Sequence, residues 1–216
     1  MRSLFILAFA LITATPAPAC EVALLLAMDV SGSVDLGEYR LQTEGLANAL
    51  NDPNIAEALL RGQVALAVVQ WSGTGRQELS MPWRRMLSEA EIRTFSARVR
   101  AMPRAYYQSG TAIGDALEFS RQQFPAVSDC KRHVIDVSGD GPENAGKPTS
   151  AARQAAIAVG ISINGLAIEA FGISITEYYR KQVITKEGFV ITARGHLDYP
   201  RAIREKILRE IITPIS

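Results

Sequence analysis

Histidine, cysteine and charge of one sign are scarce in this chain, and each shortage excludes a class of function. The chain has 2 histidines and 2 cysteines, and its 23 Lys and Arg against 22 Asp and Glu give a net charge of +1. No block of like charge offers a surface to nucleic acid or to a membrane. His133 and His196 fall at opposite ends of the predicted sheet, so they form neither a zinc site nor a catalytic pair. A Gly-x-Ser-x-Gly nucleophile motif is also absent.

Long apolar runs are equally scarce, and the one near the start has the form of a secretory signal peptide. Arg2 gives a positive start, residues 4–12 are apolar, and Ala17-Pro18-Ala19 is a small-residue cleavage pattern. We therefore expect residues 1–19 to be a signal peptide and residues 20–216 to form one domain, periplasmic or secreted. A retained N-terminal anchor is the alternative. No second apolar stretch reaches the length of a membrane span.

The two cysteines are expected to form a disulfide, because disulfides persist outside the cytoplasm. Cys20 lies nine residues before Asp29, and Cys130 lies ten before Asp140. If the strands that end at these aspartates are parallel neighbours, both cysteines lie at the same edge of the sheet. Two free thiols are the alternative. A lipid on Cys20 also stays open, although the Leu expected three positions before a lipidated cysteine is missing.

The rest of the chain alternates apolar strands with amphipathic helices. Residues 22–27 are apolar without alternation, which is typical of a parallel strand buried on both faces. Residues 77–83 include Pro82, which indicates a short antiparallel strand at the sheet edge. The other strands are predicted at 63–71, 131–138, 161–168 and 188–192, and the helices at 36–50, 55–60, 88–102, 111–124, 151–159, 175–183 and 200–212. This order predicts a three-layer α/β domain with a mostly parallel, doubly wound, Rossmann-like sheet.

Oxygen-bearing side chains follow the first strand. Asp29, Ser31 and Ser33 alternate with other residues directly after it, and ligands of open α/β sheets bind at the carboxyl ends of the strands. A cluster with oxygen ligands alone suits a hard cation such as Mg²⁺ better than zinc. Taken alone, these residues are equally well explained as caps of a turn. Two further segments decide between the readings: Ser109-Gly110-Thr111 opens a helix, and Asp140-Gly141 ends a later strand.

Together the three segments resemble the von Willebrand factor A (VWA) domain. In that family a metal-ion-dependent adhesion site combines an Asp-x-Ser-x-Ser loop, a Thr from a second loop and an Asp from a third. The resemblance covers essentially all of residues 20–216. It implies that Ser31, Ser33 and Thr111 offer hydroxyl oxygens to the metal. It also implies that Asp29 and Asp140 contribute carboxylates, directly or through water. It also implies Mg²⁺, with Mn²⁺ or Ca²⁺ as alternatives, and a protein partner whose Glu or Asp completes the coordination.

A narrower likeness is to secreted bacterial VWA-like proteins whose role is uncharacterised, and Trp71-Ser72-Gly73 and residues 136–141 carry it. The predicted function is a metal-dependent protein-binding module without enzymatic activity. The alternative is a hydrolase that uses the same cation as a Lewis acid, although the loops offer no general base beyond the carboxylates that the metal would occupy.

Four residues beside the predicted site are candidates for a partner-binding rim. Tyr106 and Tyr107 precede the Thr111 loop, and Glu143 and Asn144 follow Asp140. Aromatic side chains are favoured at such surfaces, while packing beneath the loop is an equal alternative for the two tyrosines.

Asp136 departs from the family pattern, which has an apolar residue at this point of the strand. A carboxylate in a buried strand is costly unless it is hydrogen-bonded or paired. We expect a structural hydrogen bond to a neighbouring strand or loop, and a second polar site is the alternative. Asp136 lies about 13 Å from Asp140 along a strand, so the two cannot bind one ion.

Overall fold

The computed structural model describes residues 20–107, 109–169 and 174–212, so the predicted signal peptide lies outside the described residues. These residues form one six-stranded sheet in the order β3-β2-β1-β4-β5-β6. Its strands are β1 (Val22–Asp29), β2 (Ala65–Trp71), β3 (Gln77–Arg85), β4 (Arg132–Gly139), β5 (Ile161–Ile168) and β6 (Val190–Ala193). All neighbours are parallel except β2 and β3. The predicted three-layer α/β architecture is confirmed.

Helices cover both faces of the sheet. One face packs against α1 (Leu36–Leu50), α2 (Pro53–Arg61), α3 (Glu89–Arg100) and α7 (Tyr199–Ile212). The other packs against α4 (Ile113–Arg121), α5 (Thr149–Ala158) and α6 (Ile175–Tyr178), which continues as a π-helical turn over Tyr179–Val183. Short 3-10 helices occupy Phe124–Val127 and His196–Asp198. Among the described residues, no helix is long and apolar enough to cross a membrane.

Strand β1 supplies side chains to both hydrophobic cores. All eight of its residues are buried. Leu24 and Leu26 pack on the side of α1 and α7, while Ala23 and Leu25 pack on the side of α4 and α5. Each fully buried leucine contributes about 1.5–3 kcal/mol through the hydrophobic effect. The unbroken apolar run therefore reflects a strand with a helical layer on each side.

Local sequence signals begin the helix that follows the first loop. The carboxylate of Asp35 accepts a hydrogen bond from the Glu38 amide at 2.8 Å, and the carboxylate of Glu38 accepts one from the Asp35 amide at 2.8 Å. This reciprocal capping box is worth about 0.5–2 kcal/mol. It fixes the point at which the loop after β1 becomes helix α1.

The antiparallel strand β3 lies at the edge of the sheet, as Pro82 indicates. A proline there destabilises the sheet little, because the backbone N–H that proline lacks would have no neighbouring strand to bond on the outer side. The strand extends to Arg85, beyond the predicted end at residue 83. Register shifts interrupt its pairing with β2 between Leu66 and Gln70.

A disulfide joins Cys20 to Cys130, as the strand register predicts. Strands β1 and β4 are parallel neighbours, with Val22 opposite Arg132, so the residues that precede them meet at one edge of the sheet. The bond closes a loop with a sequence separation of 110 residues, which in the loop-entropy model destabilises the unfolded chain by at most about 5 kcal/mol. It also occupies the Cys20 sulfur that a lipid anchor would need.

Candidate metal centre

Three loops meet at the carboxyl ends of β1 and β4. The amide of Gly32, in the loop after β1, donates to the carbonyl of Ser109 at 2.9 Å. The loop after β4 joins the same group, because the Thr111 amide donates to Oδ1 of Asn144 at 2.8 Å and the Asn144 amide donates to the Thr111 carbonyl at 3.0 Å. The three segments that carry the predicted ligands are thus held together by their own backbones.

Four of the five predicted ligands form a continuous chain of contacts. Oδ1 of Asp29 accepts from the Ser31 amide at 2.7 Å, and the hydroxyls of Ser31 and Ser33 lie 3.1 Å apart. The Ser33 hydroxyl donates to Oδ1 of Asp140 at 2.6 Å. The structure therefore places the Asp-x-Ser-x-Ser loop directly against the aspartate that ends β4.

Thr111, the fifth predicted ligand, lies on the far side of the loop after β4. Its side chain is buried, and a Cβ built on Gly141 would sit 3.8 Å from its hydroxyl oxygen. The small residue after Asp140 thus leaves the Thr111 hydroxyl next to the loop that carries that aspartate.

The electrostatics of this edge are unbalanced. Asp29 is 0% exposed, and its Oδ2 has no hydrogen-bond partner among the described residues. Burial raises the pKa of Asp29 to about 7, and the charge of Asp140 acts in the same direction. Within the described ranges, no Lys or Arg forms an ion pair with either carboxylate. A bound cation would supply the missing positive charge.

Tyr179 lies beneath the aspartates and was not identified from the sequence. A Cβ built on Gly139 would sit 2.7 Å from the Tyr179 hydroxyl and 2.9 Å from Oδ2 of Asp29, so the absence of a side chain at position 139 lets these two groups approach. The Tyr179 hydroxyl is buried without a hydrogen-bond partner in the described part of the chain. Burial raises the pKa of Tyr179 well above its usual value, and Asp29 adds to this effect. Gly139 was the one available sequence signal.

Arg104 is a second residue that the sequence did not reveal. Its guanidinium donates to the carbonyls of Val30 and Ser31 at 3.0 and 2.8 Å, so it holds the first loop in place from below. It also lies over the ring of Tyr107, 4.9 Å from the ring centroid. Tyr107 is 56% exposed, as the predicted rim requires, whereas Tyr106 packs against the small cluster that includes Val30.

Glu143 and Asn144, two of the predicted rim residues, also form hydrogen bonds within the protein, and Asn144 remains exposed. The carboxylate of Glu143 accepts from the Gly114 amide at 3.0 Å and from the amide and hydroxyl of Thr149 at 3.1 and 2.6 Å. It therefore links the first turns of α4 and α5, where a negative charge is favourable. The amide oxygen of Asn144 is already bonded to Thr111.

Asp136 forms an ion pair with a helix, whereas the prediction gave it a partner on a neighbouring strand or loop. Its Oδ1 lies 3.0 Å from Nζ of Lys206 on α7, and both side chains are buried. Lys206 also contacts Glu210 one helical turn later, at 2.7 Å. Helix α7 therefore supplies the compensating charge for this strand.

The donor set of the loops fits a hard cation. The predicted ligands on these loops carry three hydroxyls and two carboxylates, and such oxygens are ligands that Mg²⁺, Mn²⁺ and Ca²⁺ accept. Among the residues that the structure describes, no group of three or more His, Cys, Asp or Glu side chains could hold a metal. The unpartnered Oδ2 of Asp29 is the single atom that most requires a positive neighbour.

Solved structures with the same fold include VWA domains. They include a von Willebrand factor type A protein from Catenulispora acidiphila (TM-score 0.67, 18% identity, 91% of this chain and 44% of that one). Proximal thread matrix protein 1 from the mussel byssus, solved with a zinc-occupied metal-ion-dependent adhesion site, gives 0.64 and 16% identity over 89% and 46%. The pilus adhesin SpaC from Lactobacillus rhamnosus GG gives 0.65 and 14% over 88% and 31%. The chain spans less than half the length of each of these structures. Its fold is that of a VWA domain.

A family model described as a protein of unknown function (DUF1194) matches residues 19–215. The chain belongs to this family. No curated protein matches it.

Proposed function

We propose that the chain is an exported, metal-dependent protein-binding module whose bound cation is completed by an acidic residue of a partner protein. The observation that supports the proposal is the chain of contacts at one sheet edge that joins Asp29, Ser31, Ser33 and Asp140. In the described ranges neither carboxylate is paired with a Lys or Arg. Ser31, Ser33 and Thr111 would provide hydroxyl oxygens, and the two aspartates would bind directly or through water. Mg²⁺ is the expected ion, and Mn²⁺ and Ca²⁺ are alternatives with the same ligand preference.

The charge of the site supports a carboxylate partner. A divalent cation held by two carboxylates and neutral hydroxyls is neutralised without excess negative charge, so an additional anion can still join it. The attraction between a partner carboxylate and such an ion is stronger where the site is partly buried, because water screens it less there. The exposed Tyr107 beside the first loop offers an aromatic contact for the same partner.

The proposal also includes export, with residues 1–19 as the signal peptide and 20–216 as the domain. The Cys20–Cys130 disulfide supports it, because such bonds persist in oxidising compartments. The mussel protein with an occupied metal site and the pilus adhesin support an adhesion-type role for this fold.

The test is capture of a partner by the immobilised domain from the exported fraction of the source cell. We expect a protein that is retained with Mg²⁺, released by EDTA, and not retained by Thr111→Ala. Thr94→Ala is the matched control, because Thr94 lies on the exposed face of α3 and its hydroxyl bonds only the Ala90 carbonyl, so it should retain the partner. Retention that is equal with and without EDTA would contradict the metal-dependent mechanism.

A further inference from the structure

A second group of charged side chains lies inside the protein, beneath helix α7. We name it the core charge cluster: Asp136 on β4, Asn164 on β5, and Lys206 and Glu210 on α7. Each of the four residues is at most 5% exposed. Nζ of Lys206 lies 3.0 Å from Oδ1 of Asp136 and 2.7 Å from Oε1 of Glu210. The ring of Phe189 covers the same ammonium, 4.7 Å from its centroid.

The buried surroundings of this cluster make the ionised forms of its side chains less favourable than they are in water. Two carboxylates share one ammonium where water is excluded, and charged groups lose most of their solvation in such a place. Burial raises the pKa of Asp136, Glu210 adds to the rise, and Lys206 opposes it. Burial raises the pKa of the Tyr199 hydroxyl, and the charge of Asp136 adds to this rise. A proton passed from Lys206 to a carboxylate leaves a neutral amine beside a carboxylic acid.

The two carboxylates are held in different ways. The amide nitrogen of Asn164 donates to both oxygens of Glu210, at 2.9 and 2.8 Å, which fixes the position of that carboxyl group. Asn164 is itself fixed, because its Oδ1 accepts from the Phe189 amide at 2.8 Å. Neither oxygen of Asp136 has such a donor among the described residues. Asn164 thus holds Glu210 in place, whereas Asp136 faces the Lys206 ammonium at 3.0 Å, and burial raises the pKa of Asp136.

We propose that Lys206 and Asp136 condense to an intramolecular amide bond that joins α7 to β4. The Lys206 ammonium gives one proton to the Asp136 carboxylate, and the freed amine forms a C–N bond with Cγ of Asp136. Glu210 takes a second proton from that nitrogen and delivers it to the leaving hydroxyl of Asp136, the C–O bond breaks, and one water departs. An ammonium and a carboxylate thus become an amide and water, with no other reactant.

The amide would complement the disulfide. The Cys20–Cys130 bond ties the residue before β1 to the residues before β4, and the amide would tie the last described helix to the middle of β4. Both ends of the described domain would then be covalently attached to one central strand. Unfolding from either end would have to pass a covalent bond.

Peptide mapping by mass spectrometry tests the proposal on the purified exported chain after reduction, denaturation and digestion with trypsin. We expect peptide 133–153, which carries Asp136, to be joined to 205–209 and to be lighter than their sum by one water. Cleavage after Lys206 should be lost. Linear peptides with full cleavage after Lys206 would overturn the proposal.

Two other linkages have different signatures. A bond from Lys206 to Asn164 would join 205–209 to 154–180 with loss of ammonia, and a bond from Lys206 to Glu210 would join it to 210–216. Either product would overturn the assignment to Asp136. In Glu210→Gln the shape is kept and the base is removed, so we expect the joined peptide to disappear. Lys181→Arg, an exposed lysine on the π-helical turn, should leave it unchanged.

Discussion

Two aspartates lie on or directly after strand β4, and their surroundings differ in where a compensating positive charge is found. Asp136, in the middle of the strand, contacts the buried ammonium of Lys206. Asp140, just past its end, accepts from the Ser33 hydroxyl and adds its negative charge to that felt by Asp29, with no cationic side chain paired to it in the described ranges. The core charge cluster has its cation built into the chain, whereas the loop edge would take its cation from solution under the proposed function.

The difference follows from access to solvent. A carboxylate in the middle of a sheet covered by helices cannot be reached by an ion, so its partner must be part of the sequence. At the carboxyl edge of the sheet an ion can enter and leave. A carboxylate that has no positive partner in the protein can bind a cation there. The same residue type, four positions apart in the chain, is therefore paired inside the protein at one place and proposed to bind a cation at the other.

Removal of the built-in cation should have the largest effect. For the chain in which Lys206 and Asp136 have not formed the proposed amide, we expect Lys206→Met to lower the free energy of unfolding by about 3–5 kcal/mol, because Asp136 and Glu210 would stay buried without a counter-charge. Urea unfolding at neutral pH measures this loss. Arg93→Met is the control, since the Arg93–Glu89 pair has the same helical spacing but side chains 64% and 74% exposed, and it should lose less than about 0.5 kcal/mol. Equal losses would remove the distinction between core and surface pairs.

Removal of a loop ligand should leave the fold intact and abolish cation binding. We expect Asp29→Ala and Thr111→Ala to lower the affinity for Mg²⁺ or Mn²⁺ at least about 100-fold, which is about 2.7 kcal/mol, in isothermal titration calorimetry. Asp136→Asn should bind the ion as the unaltered protein does, because Asp136 belongs to the other region. Wild-type affinity in both loop variants would show that the loops are not the metal site.

Much of this architecture could be predicted because it depends on local sequence. The apolar run of β1, the capping box of Asp35 and Glu38, and the edge position of Pro82 are each decided within a few residues. The cysteine pairing follows from strand register if the two strands are parallel neighbours, because such strands end at the same edge of a sheet. The resemblance to the VWA domain implied the meeting of Asp29 with Asp140.

The remaining features depend on how a helix lies on the sheet, which the sequence pattern does not specify. Lys206 pairs with Asp136 only because α7 lies on the sheet where the lysine side chain reaches β4, and a buried lysine on a helix has no distinguishing pattern. Tyr179 reaches Asp29 from a π-helical turn that periodicity predicts as ordinary helix. Glu143 links two helices whose first turns become adjacent only after the chain has folded.

The smallest effect is expected beneath the loop edge, where two buried tyrosine hydroxyls differ in their partners. The Tyr39 hydroxyl donates to the Met102 carbonyl at 2.9 Å, whereas the Tyr179 hydroxyl has no partner among the described residues. We expect Tyr39→Phe to cost about 1 kcal/mol in urea unfolding, because it leaves a buried carbonyl unpaired. Tyr179→Phe loses no hydrogen bond, so it should stay within about 0.5 kcal/mol of the parent in metal-free buffer. A loss as large as that of Tyr39→Phe would mean that the Tyr179 hydroxyl forms a hydrogen bond in solution. The loop edge would then have a partner inside the protein, and the contrast with Asp136 would be weaker.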